Sequence, residues 1–151
     1  RGEFAVLDCG ARVHGYHGDM CRTVVVGGAD SEQANKLRAV EAAVGRAIAA
    51  IKPGATVGEI RDEAANAIAD AGYGENWWDA FMPHGNGAGQ HERPNAKEHP
   101  DQELQEGMVL CIEPGITVAD EGAVIIEQMI AVGADGAEVL NKLPTNMWEQ
   151  T

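Results

Sequence analysis

The chain has 151 residues, of which 44% are hydrophobic, 23% charged and 5% aromatic. This composition excludes the disordered and fibrous classes, and the length suits a single domain over residues 1–151. An excess of 24 acidic over 11 basic residues gives a net charge of −13, which disfavours nucleic acid and anionic membranes as partners. No apolar run approaches the roughly 20 residues that cross a bilayer.

Two short strands are predicted first. Phe4–Asp8 is an apolar run closed by glycine, and Met20–Val26 is rich in β-branched residues. The short stretch 10–18 between them contains glycines at both ends and predicts a hairpin. Asp8 and Asp19 would then lie on neighbouring antiparallel strands near the turn.

Two helices follow the hairpin. Apolar side chains recur at helical spacing up to Ile51, where Lys52-Pro53-Gly54 ends the first helix. Thr56 and Glu59 form a capping box at the start of the second helix, because each side chain can accept from the other residue's backbone N–H. Gly72 ends that helix.

The second half of the chain predicts loops and then strands. Residues 73–101 are rich in glycine, proline, histidine and asparagine, which indicates mainly loops and turns. Strands are predicted at Met108–Glu113 and Ala123–Val132, with a third at Glu138–Leu140. Strands, then helices, then strands are typical of an α+β domain with an antiparallel sheet.

The cysteines and the first residues bear on the compartment of the protein and on whether the chain is part of a longer one. Cys9, Cys21 and Cys111 cannot all pair, and their spacing indicates no disulfide framework. Reduced thiols are typical of the cytoplasm, which is the expected location. The chain begins without methionine and runs directly into an apolar segment. We therefore expect a fragment or trimmed product that lacks an upstream part.

Four carboxylates lie in or at the ends of predicted strands: Asp8, Asp19, Glu113 and Glu127. Burying a carboxylate without a partner is costly, and Arg22, the nearby cation, cannot neutralise four of them. Two divalent ions would balance the four charges. Carboxylates that bridge two ions are typical of two-metal hydrolases.

Two histidines, His84 and His91, lie seven residues apart in the glycine-rich segment and offer the nitrogen that such a site often uses. Mixed oxygen and nitrogen ligands favour Mn, Co, Fe(II) or Zn. Taken singly, the aspartates are turn formers and the histidines structural loop residues. The spacing Gly85-x-Gly87-x-Gly89 neither follows a clear strand nor opens a helix, which disfavours a nucleotide-binding loop.

Several segments resemble the pita-bread metallopeptidases, the family of methionine aminopeptidase, Xaa-Pro dipeptidase (prolidase), aminopeptidase P and creatinase. The segment from Asp8 to Thr23 resembles the paired-aspartate hairpin of that family, and residues 84–94 resemble its histidine segment. Residues 106–115 and 123–130 resemble its two glutamate strands. The resemblance implies an antiparallel curved sheet flanked by helices, with the first half of the family's domain absent.

The resemblance also implies a set of metal ligands: Asp8, Asp19, His84, Glu113 and Glu127. Asp19 and Glu127 would bridge two divalent ions, with manganese favoured. Asp8 would serve one ion, while His84 and Glu113 would serve the other.

The remaining roles implied by the resemblance concern substrate and proton transfer. His91, with His84 beside it, would contact the substrate, and His91 would bind the scissile carbonyl or its oxyanion. Glu113 would carry a proton to the leaving amine. Hydrolysis would proceed through a hydroxide shared by the two ions.

The implied activity is hydrolysis of the N-terminal bond of short peptides, with Xaa-Pro peptides favoured by the segment 127–144. Ala80 stands where the Xaa-Pro enzymes place a further histidine, and Pro83 where methionine aminopeptidases have glycine. Methionine aminopeptidase, a creatinase-like hydrolase or lyase of a small non-peptide, and a non-catalytic binding module are the alternatives. A homodimer stays open.

Overall fold

The computed structural model describes residues 1–78 and 82–150. The helices are α1, Ser31–Ala50, and α2, Val57–Asp70. The strands in chain order are β1 Phe4–Asp8, β2 Ala11–Val13, β3 Tyr16–Gly18, β4 Cys21–Val25, β5 Trp77–Trp78, β6 His84–Gly85, β7 Glu92–Asn95, β8 Val109–Ile112, β9 Gly115–Val118, β10 Gly122–Ile125, β11 Gln128–Val132 and β12 Ala137–Val139. Short 3-10 turns lie at Gly74–Asn76 and Met147–Gln150.

Both helices begin at a reciprocal cap. Asp30 accepts from the backbone N–H of Gln33, whose side chain accepts from the backbone N–H of Asp30. Thr56 and Glu59 make the same exchange at α2, as the capping box predicts. The two helices pack against each other, and their apolar faces supply much of the buried core. None of the helices in the two described ranges is long and apolar enough to cross a membrane.

The connection between the first two predicted strands is more elaborate than a turn. β1 and β4 pair antiparallel with Asp8 opposite Cys21, and β2 and β3 form a separate small hairpin between them. Asp19 therefore lies in the link that precedes β4, and not on a strand beside Asp8. The N–H of His17 donates to the carbonyl of Gly87 at 2.8 Å, which joins this hairpin to the histidine segment.

Two larger sheets contain the remaining strands, β5 to β12. One has the strand order β12-β11-β8-β6-β7, and the other has the order β10-β9-β5. The prediction that residues 73–101 are mainly loops and turns agrees with the described part of this segment, in which β5, β6 and β7 are short strands. The predicted last strand, Glu138–Leu140, corresponds closely to β12.

The prediction of one strand over Ala123–Val132 is wrong. The chain leaves the three-stranded sheet after β10 and enters the five-stranded sheet at β11, so it breaks at Ile126 and Glu127. It makes the opposite crossing between β8 and β9, at Glu113 and Pro114. An unbroken apolar run hides such a crossing from sequence analysis. Both glutamates thus lie where the chain changes sheets.

Candidate metal centre

One cavity of about 280 Å³ gathers acidic side chains from four separate places in the chain. Its lining residues are Asp8, Asp19, Trp78, Gln90, His91, Glu113, Ile125 and Glu127. The first aspartate ends β1, the second precedes β4, and the two glutamates come from the two sheet crossings. Asp19, Glu113 and Glu127 are buried, whereas Asp8 is exposed.

A tighter cluster lies within this region. Donor atoms of Asp19, His84, Cys111 and Glu127 all lie within 4.8 Å of one another, and all four residues are buried. The sheet explains part of this arrangement, because His84 lies directly opposite Cys111 on neighbouring strands. The backbone N–H of Glu127 donates to the carbonyl of Cys21 at 2.9 Å, which ties the second crossing to β4.

The two histidines have different surroundings. His84 Nδ1 lies 3.1 Å from the carbonyl of Gly85, and since a carbonyl only accepts, Nδ1 carries the proton. Its Nε2 then faces Oε1 of Glu127 at 3.7 Å. Burial is the largest single influence on His84 and lowers its pKa, but the hydrogen bonds to Glu127 and to the Gly85 carbonyl, together with the charges of Glu127 and Glu113, outweigh it, so the pKa is raised. His91 is exposed, and its ring meets that of His84 edge-on at a centroid distance of 4.3 Å.

The pKa of His91 is lowered, first by desolvation and then by the charge of His84. A histidine that is neutral near neutral pH can donate one N–H to a substrate oxygen. His91 also lines the cavity, whereas His84 lies deeper beside Glu127. The geometry therefore separates an inner histidine from one that faces the cavity.

Asp19 is held by several polar groups. One carboxylate oxygen accepts from the side-chain amides of Asn86 and Gln90, and the other accepts from the backbone N–H of Met20. Asn141 donates to the backbone carbonyl of Asp19 at 3.1 Å. These amides are functional candidates that sequence analysis missed, because a lone uncharged amide in a polar segment has no pattern that marks it.

Negative charge is crowded in the cavity. Burial, and then the charge of Glu127, raise the pKa of Glu113 to about 8. Burial and the same neighbour raise the pKa of the Cys111 thiol. Cys111 precedes Glu113 by two residues, and the structure places its sulfur among the buried donor atoms.

Arg22 does not neutralise this charge. Its guanidinium is fully buried and donates to backbone carbonyls of Cys21, Glu127, Leu143 and Pro144 and to the side chain of Gln128. In the described part of the chain it makes no ion pair with the four carboxylates of the cavity. The donors gathered here are carboxylate oxygens, one imidazole nitrogen and the Cys111 thiol, and the oxygen and nitrogen donors fit divalent Mn, Fe, Co or Zn.

The tandem tryptophans divide between the core and the cavity. Trp77 packs against the buried core, and Trp78 lines the cavity, as alternating faces of a strand require. The pair Trp77-Trp78 therefore contributes one side chain to the core and one to the cavity wall.

The profile of metallopeptidase family M24 matches residues 1–134. The chain belongs to this family. The Xaa-Pro dipeptidase of Pyrococcus horikoshii is 38% identical over 142 residues, which are 94% of this chain and 40% of that relative. The Xaa-Pro dipeptidase of Pyrococcus furiosus is 37% identical over 142 residues, with the same coverage. The chain thus spans about 40% of the length of these curated relatives.

Solved structures agree with this membership. The prolidase of Pyrococcus horikoshii superposes with a TM-score of 0.89 at 38% identity, over 95% of this chain and 41% of the other. The X-Pro aminopeptidase of Thermotoga maritima superposes with a TM-score of 0.91 at 32% identity, over 96% of this chain and 41% of the other. They confirm the predicted family and the α+β pita-bread fold class. The predicted departure at Ala80 lies outside the described residues.

Proposed function

We propose that this M24 chain carries the metal centre of a peptidase that hydrolyses the N-terminal bond of Xaa-Pro peptides. The observation that carries the proposal is the meeting of four carboxylates and two histidines from distant segments at one cavity. The printed names of its relatives, Xaa-Pro dipeptidase and X-Pro aminopeptidase, support the substrate class.

Five residues would hold two divalent ions in this proposal: Asp8, Asp19, His84, Glu113 and Glu127. Asp19 and Glu127 would be shared between the ions, and their proximity to each other and to His84 supports this role. The oxygen-rich donor set leads us to favour manganese over cobalt, iron or zinc. When bound, the ions would supply Lewis-acid activation of the attacking water and of the scissile carbonyl.

The other groups act on substrate and proton. His91 would donate its N–H to the oxygen of the scissile carbonyl, because it faces the cavity and its ring is supported by His84. The proline nitrogen leaves as a secondary amine and must gain a proton, which Glu113 would transfer to it. Trp78 and Ile125 line the same cavity and would form an apolar wall against the substrate.

The setting is also part of the proposal. Cys9, Cys21 and Cys111 are unpaired in the described structure, which supports a reducing compartment, and we therefore favour the cytoplasm. The expected partners are peptides, not nucleic acid or membranes, because the chain is strongly acidic.

Hydrolysis of Ala-Pro, measured beside Met-Ala, tests this function. The chain is suited to the test because its described residues contain the whole proposed ligand set. We expect Mn²⁺-dependent cleavage of Ala-Pro that a chelator abolishes and that metal restores. Asp19→Asn should remove the activity, while Asp135→Asn, on an exposed residue, should retain it.

Two results would contradict the proposal. Preferential cleavage of Met-Ala would assign the chain to the methionine aminopeptidase activity. Bound metal without cleavage of either peptide would favour a binding module.

A further inference from the structure

The two oxygens of the Asp19 carboxylate accept different numbers of hydrogen bonds. Its Oδ2 accepts from Nδ2 of Asn86 at 3.4 Å and from Nε2 of Gln90 at 3.3 Å. Its Oδ1 accepts only from the backbone N–H of Met20 at 3.2 Å, within the described residues. Two neutral amides from the histidine segment thus share a single oxygen of this buried residue.

The orientation of Asn86 follows from its partner. A carboxylate only accepts, so Asn86 must turn its NH₂ group toward Asp19. Its own Oδ1 is then buried and meets no donor in the described ranges 1–78 and 82–150. An unpaired buried acceptor weakens a fold, so stability alone does not account for an amide here. The NH₂ group of Asn86 also donates to the carbonyl of Gln90 at 3.4 Å, so this side chain joins Asp19 to the second residue whose amide donates to it.

Each carboxylate oxygen has two lone-pair directions. The amides of Asn86 and Gln90 occupy both directions on Oδ2, and Met20 occupies one on Oδ1. A carboxylate shared between two ions needs a free direction on each oxygen. The arrangement therefore leaves Asp19 ready for one ion through Oδ1, while the amides compete with a second ion for Oδ2.

The two amides differ in how easily they can move away from Asp19. Asn86 is buried, and its backbone N–H donates to the carbonyl of Val109 at 3.1 Å. Gln90 is exposed and lies between the acidic cavity and a neighbouring cavity of about 280 Å³ that Arg12 and His17 also line. The carboxamide of Gln90 therefore has space into which it can swing away from Asp19.

We propose that Asn86 and Gln90 are positioning residues that weaken binding of the second divalent ion and make the site fill in two steps. This inference rests on the proposed two-ion function. Oδ2 of Asp19 would become available as a ligand only after the carboxamide of Gln90 moves away from it, so Gln90 would set the affinity of the second step.

Calorimetric titration of the metal-free chain with Mn²⁺ tests this inference, in parallel with electron paramagnetic resonance of the coupled Mn²⁺ pair. Wild type should show a tight step followed by a weaker one. Gln90→Leu should tighten the second step by about tenfold, because a hydrogen bond to the charged oxygen no longer has to be broken, and should leave the first step nearly unchanged. The coupled signal should appear at a lower ratio of Mn²⁺ to protein. Gln105→Leu removes an exposed amide elsewhere and should match wild type.

Failure of the inference and failure of the proposed function give different results. If two ions bind and Gln90→Leu leaves the second step unchanged or weaker, the inference is overturned while the two-ion site stands. If wild type and Gln90→Leu both bind fewer than two ions at saturation, the proposed function falls with it. Gln90 is exposed, so its substitution leaves the fold intact, and Asn86→Leu supplies a second variant that should also tighten the second step.

Discussion

Glu113 is the residue whose ionisation responds most directly to the crowded charge of the cavity. Burial and then Glu127 raise its pKa from 4.5 to about 8 in the metal-free protein. A carboxyl whose pKa is higher in the folded state stabilises the fold fully below its unfolded pKa. That stabilisation is lost as the pH rises from 4.5 through about 8.

The metal-free protein should therefore become less stable as the solution becomes alkaline. We expect the free energy of unfolding to fall by up to roughly 3–5 kcal/mol between about pH 5 and about pH 8. Glu113→Gln should flatten this dependence, because an amide does not ionise. Urea denaturation in a chelator measures it, and Glu106→Gln, on an exposed residue, is the control. Equal pH dependence in wild type and Glu113→Gln would contradict this explanation.

The two histidines should separate metal binding from catalysis. His84→Ala should lower Mn²⁺ affinity by at least about tenfold, because Nε2 beside Glu127 is lost. His91→Ala should keep that affinity and lower kcat by about 10²–10³-fold, because it removes a donor to the substrate oxygen. Calorimetry and steady-state hydrolysis of Ala-Pro measure the two effects. The roles would be reversed if His91→Ala lowered the Mn²⁺ affinity while His84→Ala lowered kcat alone.

At the scale of single residues, functional candidates are predictable where a charged residue stands in an apolar segment. Glu113 and Glu127 lie beside apolar residues with few cations near them, which predicts an unusual partner. Asn86 and Gln90 could not be predicted, because their contacts with Asp19 join segments 67 and 71 residues apart. Nothing in the local sequence indicates which distant group an amide will meet.

At the scale of elements, Arg22 joins three segments. From β4 it bonds the second sheet crossing at Glu127, the first residue of β11 at Gln128, and the later carbonyls of Leu143 and Pro144. A guanidinium suits this position because its donors point in several fixed directions. Arg22 therefore stabilises the backbone that carries one of the proposed metal ligands.

Arg22→Met should destabilise the protein by about 3 kcal/mol or more, because it leaves several buried carbonyls without donors. Arg22→Lys should recover little of the lost stability, since one ammonium group cannot reach both the carbonyl of Glu127 and the carbonyls of Leu143 and Pro144. Arg12→Met, on an exposed strand, should change stability by less than about 0.5 kcal/mol. Chemical denaturation measures all three variants. Near-wild-type stability of Arg22→Met would contradict the role given to this side chain.

The helices were predictable because caps and apolar periodicity are local signals, and the predicted capping box of α2 forms; α1 begins at a second capping box, which was not predicted. The sheet crossings were not predictable. Ala123–Val132 is continuously apolar apart from Glu127 and Gln128, so the sequence gives no sign that Ile125 belongs to one sheet and Met129 to another. Which sheet a strand joins depends on long-range pairing rather than local composition.

At the scale of the whole molecule, the net charge of −13 should attract cations toward the acidic cavity. We expect the rate of Mn²⁺ association to fall about tenfold when the ionic strength rises from about 0.01 M to about 0.15 M, because the Debye length shrinks from about 30 Å to about 8 Å. Stopped-flow tryptophan fluorescence follows binding, because Trp78, one of the three tryptophans, lines the cavity. A rate that is independent of salt would show that long-range attraction plays no part.

The order of strands and helices predicted the α+β class, and the resemblance of several segments to the family's motifs predicted the family, because both can be read along the sequence. The fit with M24 relatives extends over most of this chain and about 40% of theirs. The burial of each proposed ligand depends instead on packing between segments, which explains why Asp8 is exposed while Asp19 is buried.

The metal content of the chain at equilibrium with saturating Mn²⁺ tests the central claim most directly. Equilibrium dialysis followed by elemental analysis should find about two ions per wild-type chain. Asp19→Asn should hold fewer than one, and Asp135→Asn should match wild type. A wild-type chain that binds no ion at saturation would contradict the claim that these carboxylates meet in order to hold metal.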